Sequence, residues 1–254
     1  MLSDYWRDRP VYSAIAAGCI SIEADVWLIN ETLYVGHHKS SLSKERTLKS
    51  LYIDQLVKIL KLQNPRTEFD PTGEYRNGVF DTDPYQTLYL FIDVKTNGTE
   101  AWKYISESLQ PLRELRYLTG VVKGVKVPGP ITVIGTGNTP LSLVSGLDTR
   151  DFFYDGPLSG LESRNITDLI SPVASTSLTG AIGSIGSDNI PFTDAQLEII
   201  KAQIKVAKSR KILARYWGTP GWPIRKRNEI WRALLNEGVG LLNVDDLRAV
   251  GEYF

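Results

Sequence analysis

Short apolar runs alternate along the chain with longer segments of helical spacing. Residues 21–26 (SIEADV) and 88–95 (LYLFIDVK) are rich in β-branched and aromatic residues and too short for helices, so they read as strands. The same reading predicts strands at 131–135, 152–155, 169–174, 212–217 and 240–244, a return arm at 33–36 and a small Gly/Val/Lys hairpin at 120–130. Helical spacing occupies 10–17, 48–62, 100–112 and 223–236. In 48–62, Leu48, Leu51, Ile53, Leu56, Ile59 and Leu60 form one broad stripe. Thr193, with Gln196 three positions on, has the spacing of a capping box and opens another helix. Asp245 and Asp246 place acids at the positive end of a last one. Segments 63–84 and 175–189 read as loops, the first long enough to carry function.

Strands alternating with helices predict βα units and a parallel sheet. Barrel-type strands end near Asp25, Asp93, Gly135, Asp155, Ala174, Trp217 and Asn243, which makes seven. A closed barrel of this kind has eight. The missing one belongs before residue 21 and beyond helix 10–17, so the chain is expected to begin where strand one ends. The expected fold is therefore an α/β, (β/α)₈ barrel with its first strand cut short, a single domain over 1–254. Its 254 residues, 42% of them apolar, suffice for one such core.

Charge narrows the partners. With 29 basic and 29 acidic residues the formal net charge is zero, and the basic run Arg225-Lys226-Arg227 reads as a solvated helix face. No nucleic-acid partner is expected. The lone cysteine, Cys19, excludes an intramolecular disulfide and reads as a small core residue. No apolar stretch approaches membrane-spanning length and no secretory leader opens the chain, which leaves cytoplasmic and secreted locations open. A monomer is expected. The Asn-x-Thr triplets at Asn30, Asn97 and Asn165 carry no information by themselves. Gly135-Thr136-Gly137-Asn138 lacks the Lys-Ser/Thr of a phosphate loop and the third glycine of a dinucleotide fingerprint.

The chemistry concentrates in two strands. In Glu23-Ala24-Asp25 the carboxylates are two residues apart and share one face of a strand. Two such anions repel, and a divalent, oxygen-preferring cation removes that cost. Asp93, near the end of the next parallel strand, is a natural third ligand, and Lys95 on the same face can contact a phosphate as a point charge. A polar rim with salt-bridge partners is the competing reading of the pair. Charges inside apolar strands favour a site, because buried acids need compensation. His37 and His38, the chain's two histidines, follow Gly36; His37 is a general acid or base candidate. Zinc fits poorly, for want of nitrogen and sulfur ligands.

Glu-x-Asp, a histidine a dozen residues on and a strand ending Asp-x-Lys resemble the glycerophosphodiester phosphodiesterase and sphingomyelinase D group. Asp4-Tyr5-Trp6-Arg7, Ser21 through Leu28, Leu33 through His37, Arg46-Thr47-Leu48, Thr132 through Asn138, Arg215-Tyr216-Trp217 and Leu242 through Leu247 resemble more closely the sixth-member family of fungal altered-inheritance-of-mitochondria proteins. That resemblance implies a barrel holding one Mg²⁺ or Ca²⁺ on Glu23, Asp25 and Asp93. It implies two catalytic histidines, of which His37 matches the second, and a phosphodiester or phospholipid-headgroup substrate. Trp217 and Asn243, at late strand ends, are candidate substrate contacts. The chain departs from the family where His-Asn-Asp-Tyr should end strand one. Leu2-Ser3-Asp4-Tyr5 stands there, and Leu2 cannot transfer a proton. Two functions follow: a metal-dependent phosphodiesterase with phospholipase D-like chemistry, impaired by Leu2, or an inactive relative that keeps the metal and phosphate site.

Overall fold

The computed structural model describes residues 2–3, 6–71, 76–186 and 191–253; Asp4, Tyr5 and the side chain of Leu2 lie outside that set. The chain divides into two compact units, one of Leu2–Phe153 with Leu247–Phe254, the other of Tyr154–Asp246.

The first unit is built on parallel strands. They are β1 (Leu2–Ser3), β2 (Ser21–Ile29), β4 (Leu88–Val94) and β7 (Ile131–Gly137), with β3 (Thr32–Val35) turning back antiparallel on β2. β5 (Gly120–Val122) and β6 (Val125–Val127) form the separate hairpin read from the sequence, and β8 (Phe153–Tyr154) follows at the boundary of the units. The sheet order is β1-β2-β4-β7-β8. Helices α1 (Pro10–Ala16), α2 (Asp54–Gln63), α3 (Gly98–Ser108) and α4 (Gln110–Glu114) alternate with these strands, and α8 (Leu247–Tyr253) closes the chain.

Register sorts the side chains of this sheet onto two faces. Ile22, Leu90 and Val133 share one row, and Ala24, Ile92 and Gly135 the next. This face is apolar and fully buried, and Trp102 of α3 lies against Gly135 on it. The opposite face runs from Ser21, Tyr89 and Thr132 through Glu23, Phe91 and Ile134 to Asp25, Asp93 and Thr136. One face is wholly apolar, and the other carries every acidic residue of the candidate centre beside the buried Phe91 and Ile134.

The second unit holds β9 (Gly156–Pro157), β10 (Val173–Ser177), β11 (Leu213–Trp217) and β12 (Leu241–Leu242), parallel in the order β12-β11-β10-β9. α5 (Leu178–Ile182), α6 (Asp194–Ser209) and α7 (Ile224–Asn236) complete it. Its core gathers Ile200, Ile204 and Ala207 of α6 with Ala214 and Tyr216 of β11 and Ile230 and Leu234 of α7. The capping box at Thr193 and Gln196 is present with both of its hydrogen bonds.

Leu2–Ser3 pairs in parallel with Ile22 and Glu23, where the sequence reading has strand one end. Two departures from that reading have local causes. The helix read at 100–112 is two helices, broken at Leu109 just before Pro111, which lacks an N–H to donate. The strand placed at 169–174 lies at Val173–Ser177, and α5 occupies part of the segment read as a loop; the run Ser175-Thr176-Ser177 hides the strand, and the Ser177 side chain caps the helix. These elements make a mixed α/β architecture. Among the described residues the pairings form open sheets, and no closed barrel is shown.

Leu90 is fully buried in the apolar face of the central strand. Leu90→Ala should cost about 2–5 kcal/mol, read as a lowered midpoint in urea unfolding followed by circular dichroism.

Candidate metal centre

β2 and β4 bring Asp25 and Asp93 side by side in register, and Glu23 lies one pleat earlier on the same face. One carboxylate oxygen from each of the three lies within 4.8 Å of the others. Glu23 and Asp25 are buried at 7% and 3% exposure, so neither is an ordinary surface acid. Burial pushes the Asp25 carboxyl above its usual range, and the Asp93 charge adds to that; Lys95 and the hydrogen bond from His37 pull it part of the way back.

Lys95 is the cation of this cluster. Its Nζ donates to Asp93 Oδ2 at 2.5 Å and stands 3.5 Å from Asp25 Oδ2. Burial acts to lower its pKa, but Asp93, Asp25 and Glu23 together raise it, so the side chain is an ammonium at neutral pH. His37 Nδ1 lies 2.9 Å from Asp25 Oδ2. An ionised carboxylate only accepts, so Nδ1–H donates and Nε2 is the nitrogen that can take or give a proton. The His37 side chain is about half exposed, at 49%.

Several backbone devices hold these groups. Gly36 N donates to the Asp25 carbonyl and Trp27 Nε1 donates to the Gly36 carbonyl at 2.7 Å, which pins the turn that presents His37. A π-helical turn, Lys49–Ile53, precedes α2 and carries Tyr52, whose hydroxyl donates to the Glu23 carbonyl at 3.0 Å. Gly137 ends β7 at φ +64°, and a Cβ there would stand 2.0 Å from Asp93 Oδ1. Only glycine lets the β7 backbone pass so close to that carboxylate. Gly137, Tyr52 and Trp27 escaped the sequence reading. Gly137 lay in the glycine pair weighed there as a nucleotide loop, and the other two contacts join residues with no shared pattern.

Of the seven residues singled out from sequence, five meet here: Glu23, Asp25, His37, Asp93 and Lys95. Trp217 and Asn243 belong to the second unit. Trp217 ends β11 at 47% exposure, so it is no core aromatic. Asn243 is buried, and its Oδ1 accepts from Arg215 Nε at 3.2 Å and Nη2 at 2.9 Å. Arg215 Nη1 also stands 3.6 Å from Asp155 Oδ2, the two side chains 4% and 5% exposed, a polar cluster of that unit that sequence reasoning did not find.

Residues 2–155, more than half of the chain, match the AIM6-like phosphodiesterase domain. The chain belongs to that family. It is 56% identical over 260 residues to the altered inheritance of mitochondria protein 6 homolog of Arthroderma benhamiae, an alignment covering 99% of this chain and 82% of that protein. It is 34% identical over 268 residues to altered inheritance of mitochondria protein 6 of Eremothecium gossypii, covering 99% of this chain and 68% of the relative. The protein of that name from Saccharomyces cerevisiae is also 34% identical over 268 residues, with 96% and 67% covered. No solved structure matches the chain at a significant level. The matched domain contains all five clustered residues. Among the described residues, no helix is long and apolar enough to cross a membrane.

The donor set fits a hard divalent ion. All three groups are carboxylates, two of them buried, and the single ammonium beside them leaves negative charge in excess. Gly137→Ala should destabilise the protein by about 1–3 kcal/mol and displace Asp93. Gly124, at φ +76° in open space, supplies the control: Gly124→Ala carries the backbone strain without the clash, so its smaller loss in parallel urea melts isolates the contact with Asp93.

Proposed function

We propose that this member of the phosphodiesterase-like family is a metal-dependent phosphoric diester hydrolase or phospholipase D-like enzyme acting on a glycerophosphodiester or phospholipid headgroup. The observation that carries the reading is the meeting of three carboxylates, one ammonium and one half-exposed histidine on two adjacent strands. Its frame, on this reading, is the eight-stranded barrel of the sequence analysis, with Asp93 near the carboxyl end of β4, the end at which barrels place their chemistry.

Glu23, Asp25 and Asp93 would hold one Mg²⁺ or Ca²⁺, which when bound would polarise a phosphoryl oxygen and offset the charge that develops on it. Lys95 faces the same space and offers a cation to a phosphate oxygen. His37 moves the proton. With Nδ1–H held by Asp25, Nε2 accepts a proton from the attacking hydroxyl or water, or returns one to the leaving oxygen. The Asp25 contact fixes both the tautomer and the ring orientation. Trp217 and Asn243 are proposed substrate contacts.

Leu2 favours a second reading. Its backbone pairs with Ile22 at the place where the family resemblance puts another histidine, and leucine carries no proton. The primary reading therefore expects slow turnover with one proton-transfer residue. The second expects a protein that binds the phosphodiester without cleaving it.

Hydrolysis of bis(p-nitrophenyl) phosphate and of glycerophosphocholine, followed with added Mg²⁺ or Ca²⁺, tests this. Turnover should vanish with EDTA and in Asp93→Ala, and His37→Ala should lower kcat by about 10²–10⁴-fold. Turnover that survives both chelation and Asp93→Ala sinks the metal mechanism. Binding of glycerophosphocholine with no turnover selects the second reading.

A further inference from the structure

A polar cavity lies at the other end of the same sheet. Tyr117 O accepts from Ile131 N, the first residue of β7, whereas Gly137 at its last residue touches Asp93. Six residue steps separate these ends, about 20 Å along an extended strand. Beside Tyr117 opens a cavity of about 550 Å³, within the size range of small-ligand sites. Lys61, Arg66, Arg76 and Arg116 line it with Asp70 and Glu114, so the described lining holds twice as many cations as anions. In a chain of zero net charge this local excess has no global cause.

Arg116 is the informative residue. α4 ends in a Schellman turn: Tyr117 N donates to Leu112 O at 2.9 Å and Arg116 N to Arg113 O at 3.0 Å. Arg116 thus occupies the position where glycine is the usual choice, and it does so at φ +58°. A side chain there strains the backbone, and glycine would relieve it. The strained residue is an arginine, and its side chain lines the cavity. Glu114, the nearest acid in sequence, accepts instead from Gln110 Nε2 at 3.0 Å.

We propose that this cavity binds a small phosphate-bearing anion of two or more charges, held by Lys61, Arg66 and Arg116. Guanidinium groups pair phosphate oxygens bidentately, and the concave lining suits a free phosphorylated molecule better than a flat lipid surface. The site is separate from the carboxylate centre and needs no divalent ion.

Isothermal titration of the full chain with inorganic pyrophosphate, in EDTA, tests the proposal, with pelleting on phosphatidic acid vesicles as the second arm. Saturable binding of pyrophosphate is expected, and it should weaken about tenfold in Arg116→Gly and in Arg66→Gln. The melting temperature of Arg116→Gly should stay unchanged or rise, because glycine suits the turn, so lost binding cannot be ascribed to unfolding. Asp93→Asn should bind pyrophosphate as the parent does, which keeps this test independent of the carboxylate centre. Absence of saturable binding, affinity unaltered in both arginine variants, or binding to vesicles alone overturns the proposal.

Discussion

Three carboxylates crowded on one face of a parallel sheet are the constraint around which the first unit is arranged. Burial and, to a lesser degree, the Asp93 charge oppose ionisation of Asp25 and hold its carboxyl above the usual range. Lys95, reaching Asp93 and Asp25 at once, offsets part of the charge, and His37 donates to Asp25 from the other side. The apolar face behind these groups keeps them in place. Leu90, Ile92 and Val133 are fully buried, so the strands cannot shift register without moving the core. The same pleat that buries one set of residues lines up the acids on the other.

Much of this was legible in the sequence because it is periodic. Glu23 and Asp25 alternate with Ile22, Ala24 and Val26, and Asp93 with Ile92 and Val94, so strand geometry alone predicts a shared acidic face. The strand, its return arm and the hairpin at 120–130 followed from equally local signals. What stayed hidden depends on contacts distant in sequence. Tyr52 reaches the Glu23 carbonyl through a π turn, and Gly137 matters only because β7 passes Asp93. β10 was misplaced because Ser175, Thr176 and Ser177 carry no apolar signal. Arg215 and Asn243 meet across 28 positions of chain, which no spacing rule anticipates.

The two ends of β7 contrast within one unit. At its carboxyl end a glycine makes room for the Asp93 carboxylate. Near its amino end an arginine occupies a turn position that glycine would fill with less strain.

The central claim is that Glu23, Asp25 and Asp93 constitute a divalent-cation site, and calorimetric titration with Mg²⁺ and Ca²⁺ tests it most directly. One ion should bind per chain, and Glu23→Gln should abolish the binding. Protons compete for these ligands, and the Asp25 carboxyl titrates above its ordinary value of 3.8. Affinity should therefore be full well above that raised pKa and fall as the pH drops through it. Stoichiometric binding that persists in Glu23→Gln, or no binding at millimolar cation and neutral pH, would contradict the account.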